Sequence, residues 1–365
     1  MKRFLLFFKS IDWLIAVPVI VLVCFSLAEL YSISLGQGGA SWDFLKKQIL
    51  FAVLGLAIFF FFALIDFHHF YSYSNYLYVL AVLSLIAVLL FGQRINGTRG
   101  WFGLFGFGLQ PVELVKFVLV ICLARYFAKA PMSARPLKHL LISGSFTALL
   151  IVLIMLQPDL GSAALLFVVW VIFLVATNVP KKYLVTIFAS LIILFALSWQ
   201  FAFKDYQRQR LITYLQPSTS STNYNVKEAI IAVGAGGMFG RGLGFGSQSQ
   251  LKFLPEANTD FMFAVIAEEL GLVGVLVVIG CFGLLLFRFI SSLPRSRNYF
   301  GSLIIVGGVG LIFIEMFINI GMNMGILPVV GIPLPFVSYG GSALIAHLAL
   351  VGVMHSVIRR TAAKR

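Results

Sequence analysis

Residues 234–269 read GAGGMFGRGLGFGSQSQLKFLPEANTDFMFAVIAEE. Seven glycines come first, then a polar strip, then Leu254-Pro255-Glu256, and Thr259-Asp260 stand at the lip of an apolar run. That run, from about 260 to 288, exceeds the ~20 residues that cross a ~30 Å hydrocarbon core. A helix that spans lipid satisfies its own backbone hydrogen bonds, so the run points to a helical membrane bundle. Packing alone does not call for the segment before it. Glycines let backbone approach a ligand closely, and a carboxylate at a membrane surface needs a reason to be there. The stretch reads as an active-site loop, with Asp260 as its most chemical residue.

Working outward, the whole chain has the same character. It has 365 residues, 60% of them apolar and 11% charged, with a mean hydropathy of +1.00. No soluble domain of this length has that composition. The expected fold class is an all-α polytopic membrane protein, a ten-span bundle forming a single integral membrane domain over residues 1–365. The spans are expected at about 12–34, 45–65, 75–92, 110–128, 137–156, 160–178, 183–201, 260–288, 299–321 and 338–358. The N-terminus, MKRFLLFFKSIDW, is basic, but the apolar run after it is too long for a signal peptide and lacks a cleavage site, so it is a first span. Cys24, Cys122 and Cys281 lie in apolar runs without metal-type spacing and read as small core residues.

An even span count puts both termini on one side. The short loops with Arg135, Lys138, Lys181, Lys182, Arg295 and Arg297 put that side in the cytoplasm. The other face is the unusual one. A large extracytoplasmic loop, 202–259, carries Lys204, Arg208, Arg210, Lys227, Arg241 and Lys252. Long loops escape the orientation rule, so this basicity serves something else. The first part of the loop is polar and suits short interfacial helices. The segments QRINGTRGWFGLFGFGLQP and GMNMGILPVVGIPLPFVSYGGSA also face outward, whereas the inner loops are short and plain. The formal charge of +14 then points to anionic lipid or an anionic substrate, and not to nucleic acid, because it is split among short loops. Gln-Pro recurs at 110, 157 and 216 on this face, and each reads as a helix start.

Each motif has a plain reading beside the chemical one. Thr259 and Asp260 fit a helix start, with Thr as cap and Asp complementing the dipole; they equally fit a carboxylate ready to take a proton. The glycine run matches no nucleotide-binding pattern; it suits a hinge or tight helix packing as well as a backbone nest for phosphate. Arg99 and Trp101 are interface anchors, or a phosphate partner and a stacking surface. Glu113 and Lys116, three apart, form an internal ion pair or face a polar cavity. Glu268 and Glu269 need partners, and Lys116 is a candidate for one. Glu315 is a further acid without an assigned role. Pro328, Pro333 and Pro335 break the chain before the last span, where Ser338 and Ser342 could donate into a cavity. The histidines have no metal-site spacing.

Together, FLPEANTDFMFAVIAEELG, INGTRGWFGLFGFGLQPVELVK, QPDLGSA and GILPVVGIPLPFVSYGGSAL resemble the SEDS family, the RodA and FtsW cell-wall polymerases, with a lean toward RodA. The resemblance covers the whole chain and rests on four motifs in order. It implies a peptidoglycan glycosyltransferase of the bacterial cytoplasmic membrane that polymerises lipid II on the outer face, in cell elongation or division. It makes Asp260 the catalytic residue and brings Arg99, Trp101, Glu113 and Lys116 into the site. The chain departs from the family at Gly100, where a second Arg is usual, and at Val112, where Ser is frequent.

The chemistry expected of Asp260 is general-base catalysis. It would take the proton of the acceptor 4-hydroxyl as that oxygen attacks the donor anomeric carbon, forming a β-1,4 bond as undecaprenyl pyrophosphate leaves. Arg210, Arg241 and Lys252 are candidates to stabilise the leaving group, and Glu256, Thr259, Ser338 and Ser342 to bind substrate. No cofactor is required by the spacing; a divalent cation, Mg or Mn, on the pyrophosphate is compatible with it. The resemblance implies a class B penicillin-binding protein as partner, expected against spans eight and nine. The competing class is a lipid II flippase, which a bundle with buried charges fits in outline. A scaffold that only recruits a partner is the third; Asp260 and the basic loop speak against it.

Overall fold

Helices account for most of the described chain. The computed structural model describes residues 11–37, 39–95, 98–104, 107–129, 135–201, 224–251, 253–295 and 298–362. In chain order the long helices are α1 (Trp13–Gln37), α2 (Gly39–Leu64), α3 (His68–Phe91), α4 (Pro111–Lys129), α5 (Pro136–Met155), α6 (Leu160–Ala176) and α7 (Lys181–Phe201). Two short ones, α8 (Tyr224–Ala235) and α9 (Ser247–Gln250), precede α10 (Met262–Ser292), α11 (Tyr299–Asn323) and α12 (Gly341–Ala362). Seven helices, α1, α2, α3, α5, α10, α11 and α12, are long and apolar enough to cross a membrane. They leave Val53, Phe61, Leu80, Leu83 and Phe287 on the outside of the bundle. Such a belt of exposed apolar side chains belongs against lipid tails.

Among the described residues, α6 and α4 do not have that signature, for different reasons. α6 has 17 residues. α4 carries Glu113, Lys116, Arg125 and Lys129, and most of it is buried in protein. It packs against α3, α6, α11 and α12, so Glu113, Lys116 and Arg125 meet other side chains and not lipid. Around it, α2 lies along α12 and α1 along α10.

The all-α expectation needs one correction. Residues 93–109 form a three-stranded antiparallel sheet of β1 (Gln93–Ile95), β2 (Thr98–Leu104) and β3 (Phe107–Leu109) in that order. Gln93 pairs with Trp101, and Gly103 with Gly108. Alternating glycine and aromatic residues suit a small sheet at the membrane boundary better than a helix. The Gln-Pro helix starts also divide. Pro111 opens α4, but after Gln157-Pro158 the helix begins at Leu160, with Asp159 as the cap accepting from Ser162 N. Gln216-Pro217 lies outside the described residues. Cys24 is exposed on α1, not in the core, while Cys122 and Cys281 are half-buried.

Polar pairs tie the ends of the helices together away from Asp260. Arg288 on α10 donates to Asp12 at 2.7 Å. Asp66, between α2 and α3, meets Arg360 of α12 at 3.1 Å and His68 at 2.7 Å. Slight burial alone would raise the Asp66 carboxyl; the His68 hydrogen bonds and the Arg360 charge outweigh it and hold the group below its ordinary value.

Candidate functional site

Asp260 sits in a turn just before α10. Glu256, at φ 52°, bends the chain, and its carbonyl accepts from Thr259 N at 3.1 Å and Phe261 N at 3.3 Å. α10 starts at Met262 with Phe261 in the cap position and no side-chain cap. Thr259 therefore does not cap the helix; its hydroxyl turns back to Glu256 Oε2 at 3.1 Å. Asp260 is half-buried. A Cβ on Gly331, in the proline-rich segment, would stand 3.6 Å from Asp260 Oδ2, so that segment forms one wall beside the carboxylate.

Three successive carbonyls of this turn are held from the C-terminal third. Tyr339 N donates to Asn258 O at 2.8 Å. The Ser338 hydroxyl donates to Thr259 O and accepts from Leu334 N at 2.9 Å. Asn319 and Asn323 of α11 each donate a side-chain amide to Asp260 O at 3.0 Å. The turn is half-exposed, yet the carbonyls of Glu256, Asn258, Thr259 and Asp260 are all hydrogen-bonded. Ser342 is likewise committed to backbone, accepting from Gln110 N at 2.9 Å and so joining the starts of α4 and α12.

The glycine-rich loop is a packing device. α10 is broken at Gly271, where φ is 65°. The loop supplies the partners that the break removes: Arg241 N and Gly242 N donate to the carbonyls of Glu268 and Glu269, at 3.0 and 2.9 Å. In return, Leu272 N and Val273 N donate to Gly237 O and Met238 O. Broken helices at membrane depth need such repair. The approach leaves no room for side chains: a Cβ on Gly236 would fall 1.8 Å from Ala267 O, and one on Gly240 (φ 79°) 2.1 Å from Glu269 O. Gly240→Ala is therefore expected to lower the thermal midpoint of the detergent-solubilised protein clearly, since a left-handed backbone and a backbone clash combine. Gly234→Ala, with nothing within 4 Å of its added Cβ, is the control; near the end of α8 it should leave the midpoint unchanged or raise it. Equal losses in the two would show that the glycines are not packing against α10.

The same loop solvates the paired acids. Glu268 accepts from Gln248 N at 2.9 Å, Ser249 N at 3.2 Å and the Ser247 hydroxyl at 3.2 Å, a carboxylate at the start of α9. Glu269 accepts from Gly244 N at 3.1 Å, the Ser249 hydroxyl, the Gln250 amide and the Ser32 hydroxyl of α1. Lys116 is thus partner to neither, contrary to the sequence expectation. Glu29 of α1 is buried beside Glu269. Arg241 is exposed, and its guanidinium donates to Ser247 at 2.7 Å.

Lys116 is instead the hub of a buried cluster among α4, α11 and α12. Its ammonium donates to Glu315 Oε1 at 2.6 Å and lies 2.8 Å from Glu113 Oε2, off the line of a good hydrogen bond. Glu315 also meets His347 Nε2, and His347 Nδ1 meets Ala343 O. All four side chains are at most 4% exposed. Glu113, Glu315 and His347 bring ligand atoms within 4.8 Å of one another. Lys116 already supplies the cationic charge there, so a metal would have to displace its ammonium. His347 packs on Phe336 at 5.6 Å between ring centroids, which links this cluster to the segment that holds the Asp260 turn.

On the sheet, Arg99 caps the end of α3, donating to Gly92 O at 3.1 Å and Leu90 O at 3.0 Å. Trp101 is half-buried, with its ring 3.1 Å from where a Gly108 Cβ would stand. Arg210 and Lys252 lie outside the described residues. The structure thus gathers Thr259, Asp260, Glu256 and Ser338 in one place, Glu113 and Lys116 in a second, and Arg99 and Trp101 in a third.

Comparison with known proteins decides the family. The profile of the FtsW/RodA/SpoVE cell cycle proteins matches residues 5–363. The chain belongs to this family. It is 34% identical to the peptidoglycan glycosyltransferase MrdB of Escherichia coli K12, covering 93% of this chain and 91% of that one. It is 33% identical to the stage V sporulation protein E of Bacillus subtilis, covering 96% and 97%. The crystal structure of Thermus thermophilus RodA superposes with a TM-score of 0.71 at 29% identity, covering 96% and 97%. A chain of a peptidoglycan synthase complex superposes with a TM-score of 0.82 at 28% identity, covering 96% and 98%. A family member with seven candidate membrane helices is an integral inner-membrane protein.

Within the family frame, sequence reading passed over Asn319, Asn323, His347 and Glu29. Asn319 and Asn323 carried a usable signal, since two asparagines four apart on an apolar helix lie on one face and must find partners in lipid. α12 carries no acid that could pair with His347, and only the packing of α12 against α11 reveals its partner.

Proposed function

We infer that this chain is a peptidoglycan glycosyltransferase that polymerises lipid II, acting in cell shape or division. The observation that carries the reading is the Asp260 turn: a half-buried carboxylate on a turn held at three successive carbonyls, in a chain 34% identical over most of its length to a peptidoglycan glycosyltransferase. A sugar hydroxyl is a poor nucleophile, and a rigidly placed base is what its attack requires. Asp260 takes the proton of the acceptor 4-hydroxyl as that oxygen displaces undecaprenyl pyrophosphate from the donor anomeric carbon. The α-linked donor becomes a β-1,4 bond in one inverting step.

The leaving group gathers negative charge, which Arg210, Arg241 and Lys252 of the large loop stabilise. Exposure of Arg241 on the same loop that leads to Asp260 supports this assignment. Glu256 and Thr259 shape the acceptor side, while Arg99 and Trp101 meet the lipid-linked sugar from the sheet. Ser338 and Ser342 act through the backbone they hold. The bundle has ten spans, with α4, α6 and α7 crossing beside the seven long apolar helices, both termini in the cytoplasm and Asp260 outside. A class B penicillin-binding protein is the partner, seated against α10 and α11. A divalent cation on the pyrophosphate is compatible with this chemistry.

The test is polymerisation of labelled lipid II by the purified protein, alone and with its transpeptidase partner. Glycan ladders support the enzyme. Lipid II scrambling in liposomes without ladders in any condition would move the assignment to a flippase.

A further inference from the structure

We propose that Asn319 and Asn323 are positioning residues for Asp260, acting through its main-chain carbonyl. The proposal rests on Asp260 being the base. Both asparagines are fully buried, and burying two amides in a lipid-embedded helix is costly unless their hydrogen bonds are made. They are made to specific places. Asn319 Nδ2 donates to Asp260 O at 3.0 Å and to Ile332 O at 2.8 Å. It thereby ties the base to the segment whose Gly331 walls the carboxylate. Asn323 Nδ2 donates to the same Asp260 carbonyl at 3.0 Å, and its Oδ1 accepts from Ala264 N in the first turn of α10 at 3.2 Å.

Two donors on one carbonyl fix the peptide plane that follows Asp260, and Ser338 fixes the one before it through Thr259 O. With both planes held, the Cα–Cβ direction of Asp260 is set, and only side-chain rotation is left to aim the carboxylate. Ordinary packing gives no reason for two amides to converge on one carbonyl of a half-exposed turn. A base that must meet a hydroxyl within hydrogen-bond reach does, because displacements near 1 Å cost about 10²-fold in rate.

The experiment measures polymerisation kinetics of the full chain with its partner for Asn323→Ala and Asn319→Leu. The expected result is a kcat lower by about 10-fold or more in each, with KM for lipid II changed by less than about two-fold. Asn323→Ala leaves Asn319 on the carbonyl, so it keeps the test alive if Asn319→Leu fails to fold. Size-exclusion behaviour and thermal midpoint establish folding. An unchanged kcat in a folded variant overturns the proposal, as does a rise in KM with kcat intact. If Asp260→Ala abolishes polymer while Asn323→Ala is fully active, the positioning role alone fails. If Asp260→Ala polymerises, the assignment of the base fails first.

Discussion

Asp260→Ala is expected to abolish glycan ladders from labelled lipid II, a loss of at least about 10²-fold, without unfolding the protein. The structure bears on the second half. The bonds from Asn319 and Asn323 go to the Asp260 carbonyl, not to its side chain, and alanine keeps that carbonyl. The turn should therefore stay in place while the proton acceptor is lost. Asp260→Asn sharpens the test, because it preserves volume and polarity and removes only basicity. Both variants should elute as monodisperse protein with an unchanged thermal midpoint. Ladders from either at the wild-type rate would end the assignment of Asp260 as base.

Removing Lys116 is expected to have the largest effect on stability. Lys116→Met leaves Glu113 and Glu315 facing each other in the core with no cation between them. Breaking a buried ion pair in this way costs about 3–5 kcal/mol. Fluorescence-detected thermal unfolding in detergent should show a strongly lowered midpoint, or little folded protein at all. Neutralising the acids as well, by Glu113→Gln and Glu315→Gln in the Lys116→Met background, should restore much of the loss, since a neutral buried cluster avoids the uncompensated charge. A Lys116→Met protein as stable as wild type would mean that the cluster is hydrated and open, not a closed ion network. The two predictions separate the layers of the molecule: the first expects loss of rate with the fold intact, and the second expects loss of the fold that carries Asp260.

The membrane class was legible because lipid imposes it residue by residue. Runs such as 260–288 can satisfy their backbone only as helices, and no tertiary information is needed to see that. The site was legible in its chemical types. Asp260 and the Glu113–Lys116 spacing stand out because charges in apolar surroundings are costly and few. The three strands at 93–109 were hidden in a segment read as loop, since short runs of glycine and aromatic residues lack a clear period. Lys116 was offered to Glu268 or Glu269 because charge balance alone cannot choose among acids on different helices; Glu315 won by the packing of α11 against α4.

The sequence by itself determined that this is a helical membrane protein and that its motifs resemble one polymerase family, and it singled out one carboxylate before a long span as the candidate for its chemistry. Those follow from local composition and spacing, which lipid and chemistry constrain directly. Only the tertiary structure decided what holds that carboxylate. The tethers from Asn319, Asn323 and Ser338 to the Asp260 turn cross from 59 to 79 positions in the chain. The break at Gly271 is repaired by a loop that precedes the helix. Hydrogen bonds of this range depend on how helices register against one another, and that is a property of the packed bundle, not of any one stretch of it.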